Sequence, residues 1–98
     1  MTYKRIIKNY LPILQDLQTK ASERDGVSMT VSCDGWALTV TLSRPTNNPQ
    51  CPRDIMHEHF NIGYSEEEMN QKVISLEAFF AEACMTTVTG INYPIINN

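Results

Sequence analysis

The chain has 98 residues, of which 42% are hydrophobic and 19% charged, with a net charge of −3 and a pI near 5.2. That length holds one domain, 1–98, and the composition is that of an ordinary globular protein, too apolar for a disordered tail and too mixed for a membrane protein. A weakly acidic balance without a clustered positive field argues against nucleic acid as the main ligand.

From Thr2 to about Arg24 the residues Tyr3, Ile7, Tyr10, Leu14, Leu17 and Ala21 recur at spacings of three and four, which predicts a long amphipathic helix. Pro12 projects nearly opposite the middle of that stripe, beside Arg5, Asp16 and Glu23, so water can satisfy the carbonyl it orphans and a bend is expected. A helix that starts after Asn9, with Pro12 in its first turn, is the alternative.

Val27–Cys33 and Trp36–Ser43 alternate apolar and polar residues on either side of Asp34-Gly35. An Asp-Gly loop favours a tight hairpin turn, because glycine adopts positive φ freely. The predicted register sets Cys33 opposite Trp36, Val31 opposite Leu38, Met29 opposite Val40 and Val27 opposite Leu42 on one apolar face. The segment 44–54 carries Pro45, Pro49 and Pro52 with Asn47 and Asn48, which reads as a loop. Ile55–Tyr64 reads as a third strand, with Met56, Phe60, Ile62 and Tyr64 on one face and Ile55, His57, His59 and Asn61 on the other.

Ser65 followed by Glu66, Glu67 and Glu68 is a capping box, which starts a helix at Glu66 and places three carboxylates where the helix dipole favours them. Its core stripe is Met69, Val73, Leu76, Phe80 and Ala83, and a second, weaker row of Ile74, Ala78, Ala81 and Met85 lies behind, with Phe79 at a flank. The β-branched run at 85–89 leaves room for a short fourth strand before Gly90. Ile91, Tyr93, Ile95 and Ile96 make the tail 91–98 unusually apolar for a free end. The whole is a two-layer α+β domain in the order α-β-β-β-α, an antiparallel meander of three strands covered on one face by two helices.

Three cysteines, Cys33, Cys51 and Cys84, form no C-x-x-C pair and complete no disulfide framework, so reduced thiols and a cytoplasmic location are expected. Cys33 and Cys84 read as core. No basic segment leads into an apolar run as a signal peptide requires, and no apolar stretch is long enough to span a membrane.

Cys51, Asp54, His57 and His59 are the one metal-like group: alternate histidines on a strand leave the same face. Their spacing matches no zinc module, and the same residues suit a solvated strand face, so neither metal nor cofactor is expected. Cys51 with His57 or His59 is the only nucleophile and base pairing, and it lacks an orienting third group. Lys4, Arg5 and Lys8 form a small basic ridge diluted by Asp16 and Glu23, as a solvated helix face does.

The order of elements resembles the opening part of the small α/β chaperones that escort secreted effectors, and the size and acidity are similar to those of phage-encoded inhibitors such as anti-CRISPR proteins. Both are likenesses of layout that cover no diagnostic residue, and both imply a non-catalytic protein that works by occupying another macromolecule's surface. The residues expected to carry such contact, or self-association, are Ile74, Ala78, Phe79, Ala81, Met85, Ile91, Tyr93, Ile95 and Ile96. The competing expectation is a small metal-dependent or thiol enzyme centred on Cys51, His57 and His59.

Overall fold

The computed structural model describes residues 2–89, with side chains described to Glu82. Helix α1 (Tyr3–Ser22) is capped by Thr2, whose Oγ1 accepts from the Arg5 N–H at 3.2 Å. It runs unbroken through Pro12, which lies exposed. The long-helix expectation therefore holds and the start after Asn9 does not. The buried stripe is Ile6, Tyr10, Leu14, Leu17 and Ala21. Ile6 replaces Ile7 because it sits one turn before Tyr10, on the flank where Tyr10 meets the second helix; Tyr3 and Ile7 are half-buried.

Strands β1 (Ser28–Cys33), β2 (Ala37–Pro45) and β3 (Arg53–Asn61) form an antiparallel sheet in the order β1-β2-β3. The hairpin register differs from the expected one. Cys33 faces Leu38, Val31 faces Val40 and Met29 faces Leu42, a shift of two residues along β2. Asp34 and Ala37 close the turn, with the Asp34 N–H donating to the Ala37 carbonyl at 2.9 Å, so the loop residues are Gly35 and Trp36. Gly35 takes φ +86° at the first loop position, where a type II′ turn places glycine. The Thr39 hydroxyl donates to Asp34 Oδ2 at 2.8 Å and the Gly35 N–H to the Tyr3 hydroxyl at 3.2 Å, contacts that reward this closure. Because side chains alternate with period two, a two-residue shift keeps each one on its expected face. What changes is the end of the ribbon. Trp36 moves out of the strand and is 58% exposed, and Cys33 is exposed too, so neither joins the core.

β2 runs on through Arg44 and Pro45 and β3 starts two residues earlier than expected, at Arg53, which cuts the loop to 46–52. That loop is tied internally. The Thr46 N–H donates to the Pro52 carbonyl at 2.9 Å, and Asn48 Oδ1 accepts from the Gln50 N–H at 2.9 Å. The third strand ends at Asn61, where Asn61 Oδ1 accepts from the Gly63 N–H at 2.8 Å and bends the chain. Ile62, expected on the core face, is left 61% exposed.

Helix α2 (Glu66–Thr89) opens on the expected capping box. The Ser65 N–H donates to Glu68 Oε1 at 2.8 Å and the Glu68 N–H to Ser65 Oγ at 3.1 Å. Residues 85–89, read as room for a fourth strand, continue this helix instead. No glycine or proline stands between Gly63 and Gly90 to stop it, and β-propensity is a weak guide beside an established helix. The side chains of Ala83, Cys84 and Met85, and the tail 91–98, lie outside the described residues.

Both helices cover one sheet face. Leu38, Val40 and Leu42 from β2, Val27 and Met29 from the β1 arm and Phe60 from β3 meet Ile6, Leu14 and Leu17 of α1 and Met69, Val73 and Leu76 of α2. Tyr10 links the two helices: its ring lies 5.4 Å from that of Phe60 and its hydroxyl donates to Asn70 Oδ1 at 2.8 Å. The opposite face carries Ser28, Thr30, Ser32, Thr39, Thr41, Ile55, His57 and His59.

Candidate functional site

Alternation along β3 puts His57 and His59 on the open sheet face, as expected, each beside a threonine of β2. Thr41 Oγ1 and His57 Nδ1 are 3.0 Å apart, and Thr39 Oγ1 and His59 Nδ1 are 3.4 Å apart. Asp54, one of their proposed companions, belongs to the other face, where it pairs with Arg44. Cys51 lies exposed in the loop, its Sγ directed to the Arg53 carbonyl at 3.6 Å. Among the described residues no three His, Cys, Asp or Glu side chains come together as a metal site. The period-two rule brings the histidines together and separates them from Asp54 for the same reason.

The outer row of α2 is placed as the spacing predicts. Ile74 is 54% exposed, and Ala78 and Ala81 are exposed one and two turns further on. Glu67 and Glu77 stand exposed beside this row and give it an acidic margin. Phe79 does not belong to it. Its ring lies beneath Arg44, whose guanidinium carbon is 4.0 Å from the ring centroid, and it packs against the core. The side chain of Met85 and the residues Ile91, Tyr93, Ile95 and Ile96 fall outside what is described, so the described surface is Ile74, Ala78 and Ala81.

Sequence reasoning missed two polar clusters at the border between sheet and α2. Arg44, with its side chain only 16% exposed, reaches Asp54 at 3.2 Å and Glu82 at 2.5 Å, and donates to the Phe79 carbonyl at 3.3 Å. Lys72 Nζ reaches Glu58 Oε1 at 2.9 Å and lies 4.1 Å from the centre of the Tyr64 ring. Tyr64 and Lys72, with Glu67, Glu68 and Gln71, also line a shallow depression of about 310 Å³ at the start of α2. Glu58 interrupts the apolar alternation of β3, and that interruption is the one sequence signal for its partner. Nothing local marks Arg44, which reads as part of a loop until β2 is seen to extend through it. These pairs hold α2 to the sheet: each charge found on the covered face is answered within the chain.

Comparison with protein families, with curated proteins and with solved structures finds no match. Among the described residues no helix is long and apolar enough to cross a membrane.

Proposed function

We propose that this protein is a non-catalytic binding domain that works by occupying the surface of a partner protein, with the outer row of α2 as its contact. The observation that carries the reading is Ile74, a large apolar side chain standing in water at the head of Ala78 and Ala81. Exposed apolar residues scattered singly mean little, whereas a row at helical spacing offers a ridge to a groove. The flanking Glu67 and Glu77 specify the partner's chemistry: an apolar cleft with a basic rim.

The test compares what the full chain and its Ile74→Asp and Glu77→Lys variants retain from a host lysate, identified by mass spectrometry. Both positions are exposed, so the variants should fold as the parent does. A protein held by the parent, lost with Ile74→Asp and weakened with Glu77→Lys supports the reading. Identical retention by all three chains refutes it.

A further inference from the structure

The two histidines of the open sheet face are each engaged through one ring nitrogen. Nδ1 of His57 lies 3.0 Å from Thr41 Oγ1 and Nδ1 of His59 lies 3.4 Å from Thr39 Oγ1, so both rings turn Nδ1 toward β2. Both side chains are exposed, and among the described residues no hydrogen bond reaches either Nε2. Nε2 is therefore the nitrogen that each ring presents to a ligand.

The hydroxyl of Thr39 decides the tautomer of His59. Its single proton goes to Asp34 Oδ2 at 2.8 Å, because a carboxylate can only accept. Toward His59 the same oxygen has only lone pairs to offer, so Nδ1 carries the proton and the neutral ring keeps its lone pair on Nε2. Thr41 Oγ1 can accept from His57 in the same way. A hydrogen-bonded acceptor behind the ring is the device that orients a metal-binding imidazole and raises its basicity.

We infer that His57 and His59 together chelate one late first-row divalent cation through their two Nε2 atoms, as an exchangeable ion on the open sheet face. Alternate residues of a strand share a face, with Cα atoms about 6.7 Å apart. Two imidazole nitrogens bound to one ion at about 2.0–2.1 Å lie about 3 Å from each other, so each ring tip leans inward by about 2 Å. Both side chains project into solvent, and a turn about χ1 moves the outer Nε2 further than the anchored Nδ1. Glu58, between them in sequence, is held by Lys72 at the border with α2 and supplies no third ligand. Water fills the remaining positions. Two neutral imidazoles suit Cu²⁺ and Ni²⁺, then Zn²⁺, whereas Mg²⁺ and Ca²⁺ take oxygen. A pair of ligands makes no structural centre, and Cys51 and Asp54 stand elsewhere, so taking the ion away leaves the fold as it is.

The experiment titrates Ni²⁺ into the full, tag-free chain after chelator treatment and dialysis, and follows the heat of binding and the imidazole signals by NMR. Ni²⁺ is the probe because, unlike Cu²⁺, it does not oxidise the exposed thiols of Cys33 and Cys51. The expected result is one ion per chain, with the ring signals of His57 and His59 broadened together, and a metal-free His59 whose nitrogen shifts place the proton on Nδ1. His57→Ala and His59→Ala each break the chelate and should weaken binding about a hundredfold. Thr39→Val keeps both imidazoles but removes the acceptor behind His59, and should weaken binding about tenfold. Each variant's unfolding curve should match the parent's, since these side chains stand on the open face. Absence of binding overturns the inference. So does uptake that survives both histidine substitutions, which assigns the heat to the thiols, and so does a stoichiometry of two ions that falls to one in either variant, which makes each histidine a separate ligand. A proton on Nε2 of His59, or an affinity unchanged in Thr39→Val, overturns the orienting role of Thr39. Ile74→Asp should bind Ni²⁺ as the parent does, so this test and that of the α2 surface succeed or fail independently.

Discussion

Replacing Tyr10 by Phe removes one oxygen from the centre of the molecule and little else. The ring is 3% exposed, packs on Phe60 and stays. What goes is the hydroxyl that donates to Asn70 Oδ1 at 2.8 Å, with the Glu66 carbonyl 3.4 Å away. Asn70 itself is exposed, so water can take up its oxygen and no buried acceptor is stranded. The loss at neutral pH should therefore be that of a single net hydrogen bond, about 1 kcal/mol. Truncation to Ala, which also empties the ring's volume, should cost about 3–5 kcal/mol.

Alkaline pH adds an independent sign. Burial, and secondarily the negative charge of Glu66, raise the Tyr10 hydroxyl above the ordinary tyrosine value of 10.0. The folded chain thus keeps its proton where the unfolded chain has begun to lose it. This stability is fully present below the ordinary value and drains away as pH rises through the raised one. Urea unfolding of parent and Tyr10→Phe, at neutral pH and along an alkaline series, measures both effects. The gap between the two curves should narrow or reverse as the pH climbs. A neutral-pH loss as large as that of the Ala variant, or a constant gap across the alkaline range, would refute the placement of this hydroxyl between the helices.

Phe60 is fully buried opposite Leu38 and against Tyr10, so Phe60→Ala should lose about 3–5 kcal/mol in urea unfolding. A Cβ on Gly35 would meet no atom within 4 Å, so Gly35→Ala tests its φ of +86° alone and should cost about 1–2 kcal/mol by thermal unfolding, with Gly35→Asn milder. Ser65→Ala should cost about 1 kcal/mol as a lost helix cap. The Ser65 backbone N–H, and then its hydroxyl, hold the Glu68 carboxyl below the usual carboxylate range. The advantage of Glu68 over Glu68→Gln is therefore present above that range and should vanish as acid protonates the folded chain, which melting temperatures along an acid series would show. A chelator should leave Tm unchanged, because His57 and His59 face threonines and Asp54 lies on the other side of the sheet; a fall in Tm would restore the metal reading.

Local chemistry alone determined most of the architecture. The spacing of Tyr10, Leu14, Leu17 and Ala21 required α1, the alternation around Asp34-Gly35 required a hairpin, and Ser65 with Glu68 fixed where α2 begins. Each of these signals is written within a few residues, where side-chain periodicity and capping act. It also exposed the Ile74 row, since the outside of a helix follows from its inside. Tertiary structure decided what depends on partners far along the chain. The turn closed at Gly35-Trp36 because Tyr3 and Thr39 hydrogen-bond there, and a two-residue shift leaves the burial pattern unchanged and so invisible in it. Arg44 became a strand residue because Asp54, Glu82 and Phe79 converge on it from ten to thirty-eight positions away. Ile6 was buried in place of Ile7 because a second helix lies on that flank. The position of β3 at the end of the sheet follows from the same kind of cause: strand order among the described residues, β1-β2-β3, is encoded in no local pattern.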